Sequence, residues 1–302
     1  MSATPVVSVV IATRNRRHLL SETIATVQEQ TLGDWELIVV DDASTDDTMR
    51  HLETMDDQRV VTLRQEVHGE RSAARNAGLA AARGEFVMFL DDDDLLRPSA
   101  LDRLVRALRA QPDALAASGA CRILQRNGDS VKVYRPADEH TRVIWRELLF
   151  GWWSNSGQNL YRTATIRDIG GFDPALAACE DRRMWLAVAR RGPVRLVPSV
   201  VMEYRQHDGQ SKPSNVDAIR QSVWRDFITG LPPADQRAAR RVRRAAELVE
   251  RAESARVAGR FVTAITLQLQ ACWLAPHLLR SPLTGRPFWW GLKKSLLRVR
   301  AL

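Results

Sequence analysis

Apolar residues gather in short runs, and between the runs they recur every three or four positions. Residues 6–12, 35–40, 59–63 and 86–90 are the runs and read as strands; 86–90, short, apolar and bounded by Gly84, suits a strand buried on both faces. Between them Leu20, Ile24 and Val27, an alanine-rich 72–82, and Leu101, Leu104, Val105 and Leu108 fall at helical spacing. Ser44 and Asp47 are spaced as a capping box for a further helix. Gly84 stands as the C-terminal cap of the alanine-rich segment and Pro98 in the first turn of the next helix. Strands alternating with helices predict an α/β fold with a doubly wound, mostly parallel sheet.

After Pro112 the rhythm changes. Asn127-Gly128 between short runs predicts a hairpin over 122–134. Residues 142–150 and 180–190 read as helices, 157–162 as a return to the sheet, and 194–197 and 200–204 as two short strands. Together they predict a small antiparallel annex that completes a site. Gly230-Leu231-Pro232-Pro233 is the one clear linker. The expected organisation is a domain over 1–229, divided near 112, and a C-terminal helical appendage over 230–302. Gly259, Phe261, Ala264, Ala271, Leu274 and Pro276 are spaced as in one tetratricopeptide-like unit. One copy cannot build a solenoid, so a helical hairpin packed on the main domain is the better reading.

Charge narrows the partners. The formal net charge is +8, mostly an arginine excess lying beyond Arg220. It favours anionic partners such as nucleotide diphosphates, nucleic acid or an anionic membrane surface. Cys121, Cys179 and Cys272 are widely spaced without metal-ligand spacing, as expected of a reducing, cytoplasmic compartment. The first residues lack the basic and apolar regions of a signal peptide. No apolar stretch reaches the roughly 20 residues that span a bilayer. The nearest, 261–274, is interrupted by Gln268 and Gln270 and reads as a buried or interfacial helix.

The run at 86–90 ends in Asp91-Asp92-Asp93-Asp94. In open α/β sheets the carboxyl ends of strands are where ligands bind. Four adjacent carboxylates repel one another, so a compact fold needs a cation to hold them, and hard oxygen ligands select Mg2+ or Mn2+. A solvated acidic loop or a favourably charged helix start is the plainer alternative.

The blocks "VSVVIATRNR", "DWELIVVDDASTDDT", "RSAARNAGL", "GEFVMFLDDDDLLRP", "GGFDPAL", "CEDRRMWLAVARRG" and "YRQHDGQS" follow one another in order. This ordered set, over about 6–211, resembles family 2 glycosyltransferases with a GT-A, Rossmann-like fold. The resemblance implies an inverting transfer of a sugar from a nucleotide sugar, a UDP-sugar first, with the help of a divalent metal; a saccharide or lipid-linked hydroxyl is the expected acceptor. Residues 1–112 then form the donor half and 113–229 the acceptor half. Thr13, Arg14, Asn15, Asp41 and Asp42 would rim the donor crevice, with Arg71, chosen over Arg75, at the base. Asp91 and Asp92 fall at the donor sugar or ribose, and Asp93, Asp91 and His207 at the metal. Glu180-Asp181 matches the family's catalytic pair, with Asp181 as the base that deprotonates the acceptor. The family often has an acid two residues later, where this chain has Arg183, so the acceptor pocket has its own character.

Trp152 and Trp153 are an acceptor platform or core residues. The absence of a "QxxRW" block argues against processive synthesis. A pyrophosphorylase would need a glycine-rich loop where Ala12-Thr13-Arg14-Asn15 stands. A glycoside hydrolase would not need a nucleotide crevice. The class that competes is a non-catalytic scaffold, or a nucleic-acid or membrane binder, with an inactive transferase domain; intact Asp91, Asp93 and Asp181 weigh against it, and no nucleic-acid partner is expected. The tail at 286–300 carries Trp289, Trp290, Lys293, Lys294, Arg298 and Arg300. It reads equally as an attachment to the inner face of the cytoplasmic membrane or as a segment with Phe288, Trp289 and Leu292 packed back onto the helices.

Overall fold

The apolar runs lie side by side in one mixed sheet. The computed structural model describes residues 4–125, 130–134, 139–151, 154–207, 214–279 and 291–293. The strands are β1 (Val7–Thr13), β2 (Trp35–Asp42), β3 (Val60–Gln65), β4 (Phe86–Asp91), β5 (Leu95–Leu96), β6 (Ala116–Leu124), β7 (Ser130–Tyr134), β8 (His140–Arg142), β9 (Asn159–Arg162) and β10 (Val194–Arg205). Their order is β3-β2-β1-β4-β9-β6-β10-β5, with β7 beside β6 and β8 beside β10. From β3 to β4 all pairs are parallel. Strand β9 enters antiparallel between β4 and β6, and β10 runs parallel to β6.

Helices α1 (Arg17–Gln28), α2 (Thr48–Glu53), α3 (Glu70–Ala81) and α4 (Ala100–Arg109) connect the first half. They are followed by α5 (Trp145–Phe150), α6 (Thr163–Asp168), α7 (Glu180–Arg191), α8 (Val216–Thr229), α9 (Pro233–Val257), α10 (Phe261–Leu274) and α11 (Pro276–Leu279). The predicted helix faces are the buried ones: Leu20, Ile24 and Val27 of α1 and Leu101, Leu104 and Leu108 of α4 join Val7, Val9 and Ile11 of β1 in one core.

Several local expectations give way to tertiary contacts. Asp47 precedes α2 but makes no capping bond. Ser44 is drawn away from the helix start, because its N–H donates to Asp41 and its hydroxyl accepts the Asn15 N–H. Gly84 does not cap α3; it turns the chain into β4, with its N–H on Ser8 Oγ at 2.8 Å, and a Cβ there would lie 2.6 Å from the Ser8 nitrogen. Pro98 lies two residues before α4, whose cap position is Ser99. The two strands expected at 194–204 are one, β10, with register shifts between Leu196 and Met202 around Pro198, which has no N–H for the ladder.

The chain divides into two compact units, 1–142 with 154–220, and 143–153 with 221–302. Helix α5 falls in the second unit with the helices beyond 221. There Trp145 meets Phe227 at 6.0 Å between ring centroids, and Arg243 of α9 donates to the Leu149 carbonyl at 3.2 Å. Helices α9 and α10 form a hairpin around Ala252, Ala255 and Ala264, turned by Gly259 in the left-handed region at φ 74°. No helix among the described residues is long and apolar enough to cross a membrane. Leu292 is 8% exposed. Asn127-Gly128, Trp152, Trp153, Ser211 and the rest of the tail lie outside the described residues.

Candidate active site

In the order β3-β2-β1-β4 the connections reverse direction between β1 and β4, and ligands bind beyond the carboxyl ends of strands at such a switch. The expected rim residues stand there. Thr13 at the end of β1 donates to Asp92 Oδ2 at 2.8 Å, and Arg16 reaches Asp92 and Asp93 at 3.0 Å each. Arg14 is exposed. Arg16 was not singled out by sequence; its one signal is its place among the basic residues that follow β1. Burial pushes the Asp92 carboxyl up to about 6 against the pull of Arg16.

At the end of β2 both acids are buried. Asp42 accepts the Gly69 N–H at 2.7 Å and pairs with His68 Nδ1 at 2.6 Å, which fixes the entry to α3. Asp41 Oδ1 holds the Ser44 N–H, and Oδ2 has no hydrogen-bond partner, with Arg64 Nε at 4.0 Å. Asn15, in the left-handed region at φ 52°, accepts the N–H groups of Thr45 and Asp46 on its side-chain oxygen at 2.7 and 3.3 Å. It joins the loops after β1 and β2.

Beyond β4 the acids turn back on themselves, with the Asp94 N–H on the Asp91 carbonyl at 3.2 Å. Oxygens of Asp91, Asp93 and Asp94 all lie within 4.8 Å of one another. Asp94 is fully buried, and its Oδ2 has no hydrogen-bond partner. Burial, reinforced by Asp91 and Asp93, pushes its carboxyl well above the usual carboxylate range. An all-oxygen trio with an orphaned buried atom fits a hard divalent cation. The third acid of the trio is Asp94, which the motif did not assign. His207, expected as a ligand, has Nε2 2.9 Å from Asp93 Oδ2. Arg205 ties this turn to α1: its backbone N–H donates to Asp94, and its guanidinium meets the Asp93 carbonyl, Glu22 and Thr23.

Arg75, on the same helix as the expected Arg71, bridges the acidic turn after β4 and the start of α7. It is 3% exposed and donates to Asp91 at 2.5 Å and to Glu180 at 2.9 Å. Burial alone would lower its basicity, but Asp91, Glu180 and Asp181 outweigh this and raise it. Arg71 lies near the mouth, half exposed, 3.6 Å from the same Glu180 oxygen. The chain enters α7 through Cys179 in the left-handed region, so Glu180 and Asp181 open the helix together. Burial, then the neighbouring Glu180, raises the Asp181 carboxyl above its ordinary value. An open cleft of about 650 Å³, lined by Asn15, Arg16, His18, Asp46, Asp47 and His207, adjoins the acidic turn.

Residues 8–170, more than half of the chain, match the family model described as glycosyl transferase family 2. The chain is 37% identical over 169 residues to a Campylobacter jejuni GalNAc(5)-diNAcBac-PP-undecaprenol beta-1,3-glucosyltransferase, 54% of each chain. It is 38% identical over 89 residues to the Escherichia coli UDP-Glc:alpha-D-GlcNAc-diphosphoundecaprenol beta-1,3-glucosyltransferase WfgD, 30% of this chain and 35% of that one. It thus spans about half or less of these relatives' lengths. The fold is that of S. aureus TarS 1-349 in complex with UDP-GlcNAc, at a TM-score of 0.65 and 18% identity, over 97% of this chain and 89% of that one. With a parallel sheet, a crevice at its switch and the acidic turn beside it, the chain belongs to glycosyl transferase family 2.

Proposed function

We propose that the chain is an inverting, non-processive glycosyltransferase. It would move one sugar from a UDP-sugar to a hydroxyl of a saccharide or lipid-linked acceptor in bacterial polysaccharide or glycoconjugate synthesis, at the cytoplasmic side. The observation that carries this reading is Arg75, which holds Asp91 of the acidic turn and Glu180 of α7 to one buried guanidinium. It supports a reading in which a donor-and-cation side lies next to a candidate base. The named glucosyltransferase relatives support the donor class and the lipid-linked acceptor.

In this reading Thr13, Asn15, Asp41 and Asp42 shape the nucleoside end of the crevice, and Arg14 and Arg71 approach it from the exposed rim. Asp91, Asp93 and Asp94 would hold Mg2+ or Mn2+, with His207 on Asp93. That ion would neutralise charge on the leaving diphosphate. Asp181 accepts the acceptor's hydroxyl proton while that oxygen bonds to the anomeric carbon and the bond to the diphosphate breaks, which inverts the centre. Glu180 is held by Arg75 at 2.9 Å, which supports Asp181 over Glu180 as the base. Its raised proton affinity, from burial beside Glu180, makes it a stronger base than an ordinary aspartate.

A thermal-shift screen of nucleotide sugars with Mn2+, followed by detection of released UDP, tests the reading. Stabilisation by a UDP-sugar and metal-dependent release of UDP are expected. No response to any common nucleotide sugar would favour the scaffold.

A further inference from the structure

The second unit leaves large apolar side chains in water beside a cationic groove. On α10, Val262, Leu269 and Trp273 are 69%, 55% and 83% exposed. With the exposed Thr266 they are spaced four, three and four residues apart, which makes one helix face about 16 Å long. The inner face holds Ala264, Gln268 and Ala271, all buried. The outer stripe therefore adds nothing to the packing of the hairpin. Val257, at the end of α9, is a further exposed apolar residue at 75%.

A groove of about 400 Å³ in the same unit is lined by Arg237, Arg240, Arg241 and Arg244 of α9 and Leu274 of α10. All four arginines are exposed. Arg240 donates to Gln236 and Arg244 to Glu247. No acid among the described residues pairs with Arg237 or Arg241. Leu274 directly follows Trp273, so the groove adjoins the C-terminal end of the stripe.

We infer that α9 and α10 present this surface to an anionic bilayer. Val262, Leu269 and Trp273 would enter the interface, and the four arginines would meet lipid phosphates. Tryptophan favours headgroup depth, and apolar burial combined with basic charge is the signature of reversible interfacial binding. The combination selects the occupant. A nucleic acid would use the arginines but leave the aliphatic part of the stripe in water. The inference stands apart from the transferase reading, because it concerns neither donor nor catalytic residues.

Co-sedimentation of the full chain with phosphatidylcholine vesicles, with and without phosphatidylglycerol, tests it. Binding to the anionic vesicles that weakens with salt is expected. Leu269→Ser with Trp273→Ser should lower partitioning by about tenfold or more. Arg237→Gln with Arg241→Gln should lower it roughly fivefold for each charge removed. All four side chains are exposed, so thermal unfolding should not change. Undiminished partitioning of both double variants would overturn the inference, as would equal binding to neutral vesicles. Loss in the arginine variant alone would mark a polyanion site that needs no bilayer, and would overturn it too.

Discussion

Arg75 donates to Glu180 at 2.9 Å across 105 positions of sequence, from a guanidinium with almost no exposure to solvent. The same group holds Asp91. A planar fork can serve two carboxylates at once, which an ammonium cannot do with the same geometry.

Arg75→Lys should therefore be destabilising by about 3 kcal/mol, since breaking a buried pair leaves an uncompensated charge. Arg71→Lys, at the half-exposed mouth, should cost well under about 1 kcal/mol. Denaturant titration of the two variants reads the difference. Equal midpoints would show that the bridge carries no stability.

Asp93→Ala should abolish the stabilisation by Mn2+ in thermal unfolding and lower turnover by orders of magnitude, while the unliganded fold survives. The motivation is the trio of acids within 4.8 Å. Full activity of this variant in the presence of EDTA would remove the cation from the site.

Asp181→Asn keeps the shape and loses the basicity, so turnover should collapse with donor affinity unchanged. Because burial and Glu180 raise its carboxyl, the wild-type rate should climb with pH through a value above the ordinary aspartate range. Below it the base is protonated and the rate falls. Loss of donor affinity with intact turnover of bound donor would instead make Asp181 a binding residue.

Asp94→Asn tests the buried acid without reference to catalysis. The folded protein holds this proton more tightly than the unfolded chain. Unfolding free energy should then fall as pH rises from the ordinary carboxylate range through the raised value. The amide removes that slope, so in metal-free buffer the variant should be the more stable protein at pH 7 and gain nothing at low pH. With Mn2+ the order should reverse. A parallel pH dependence of the two proteins would contradict the raised affinity.

Gly78→Ala sets helix propensity against packing. Propensity favours alanine by about 1 kcal/mol, but a Cβ at Gly78 of α3 would lie 2.3 Å from Val10 Cγ1 of β1. Because α3 must move off the sheet, the variant should lose about 1–3 kcal/mol. A gain in melting temperature would show that the helix has room to shift.

Most of the parallel half of the sheet was legible because β1, β2 and β4 are buried on both faces and read as largely apolar runs, whereas β3 is a half-exposed edge strand. The acids at the ends of β2 and β4 followed from the same runs. What sequence could not weigh were choices made across the fold. Arg71 and Arg75 share one helix and one residue type, and only the position of Glu180 separates the mouth from the core. Asp94 looked like the end of a motif, because its burial depends on β10 passing over it. Ser44 and Gly84 carried sound local signals for caps, and each was taken by a partner far away in sequence, Asn15 and Ser8. Nor could sequence show that α5 packs with helices that follow it by some 70 residues or more.

The insertion of β9 between β4 and β6 has a consequence for the newborn chain. Strand β4 is apolar from Phe86 to Leu90, and on its far edge Phe86 and Val87 pair only with Arg162 and Tyr161. While the ribosome adds the intervening residues, that edge has no companion, and an open apolar edge invites pairing with other chains. Synthesis must also pass residue 205 before Arg205 can close over the acidic turn. This apolar strand is thus made early and shielded late, so the yield of soluble chain should depend on how quickly translation traverses the stretch between them.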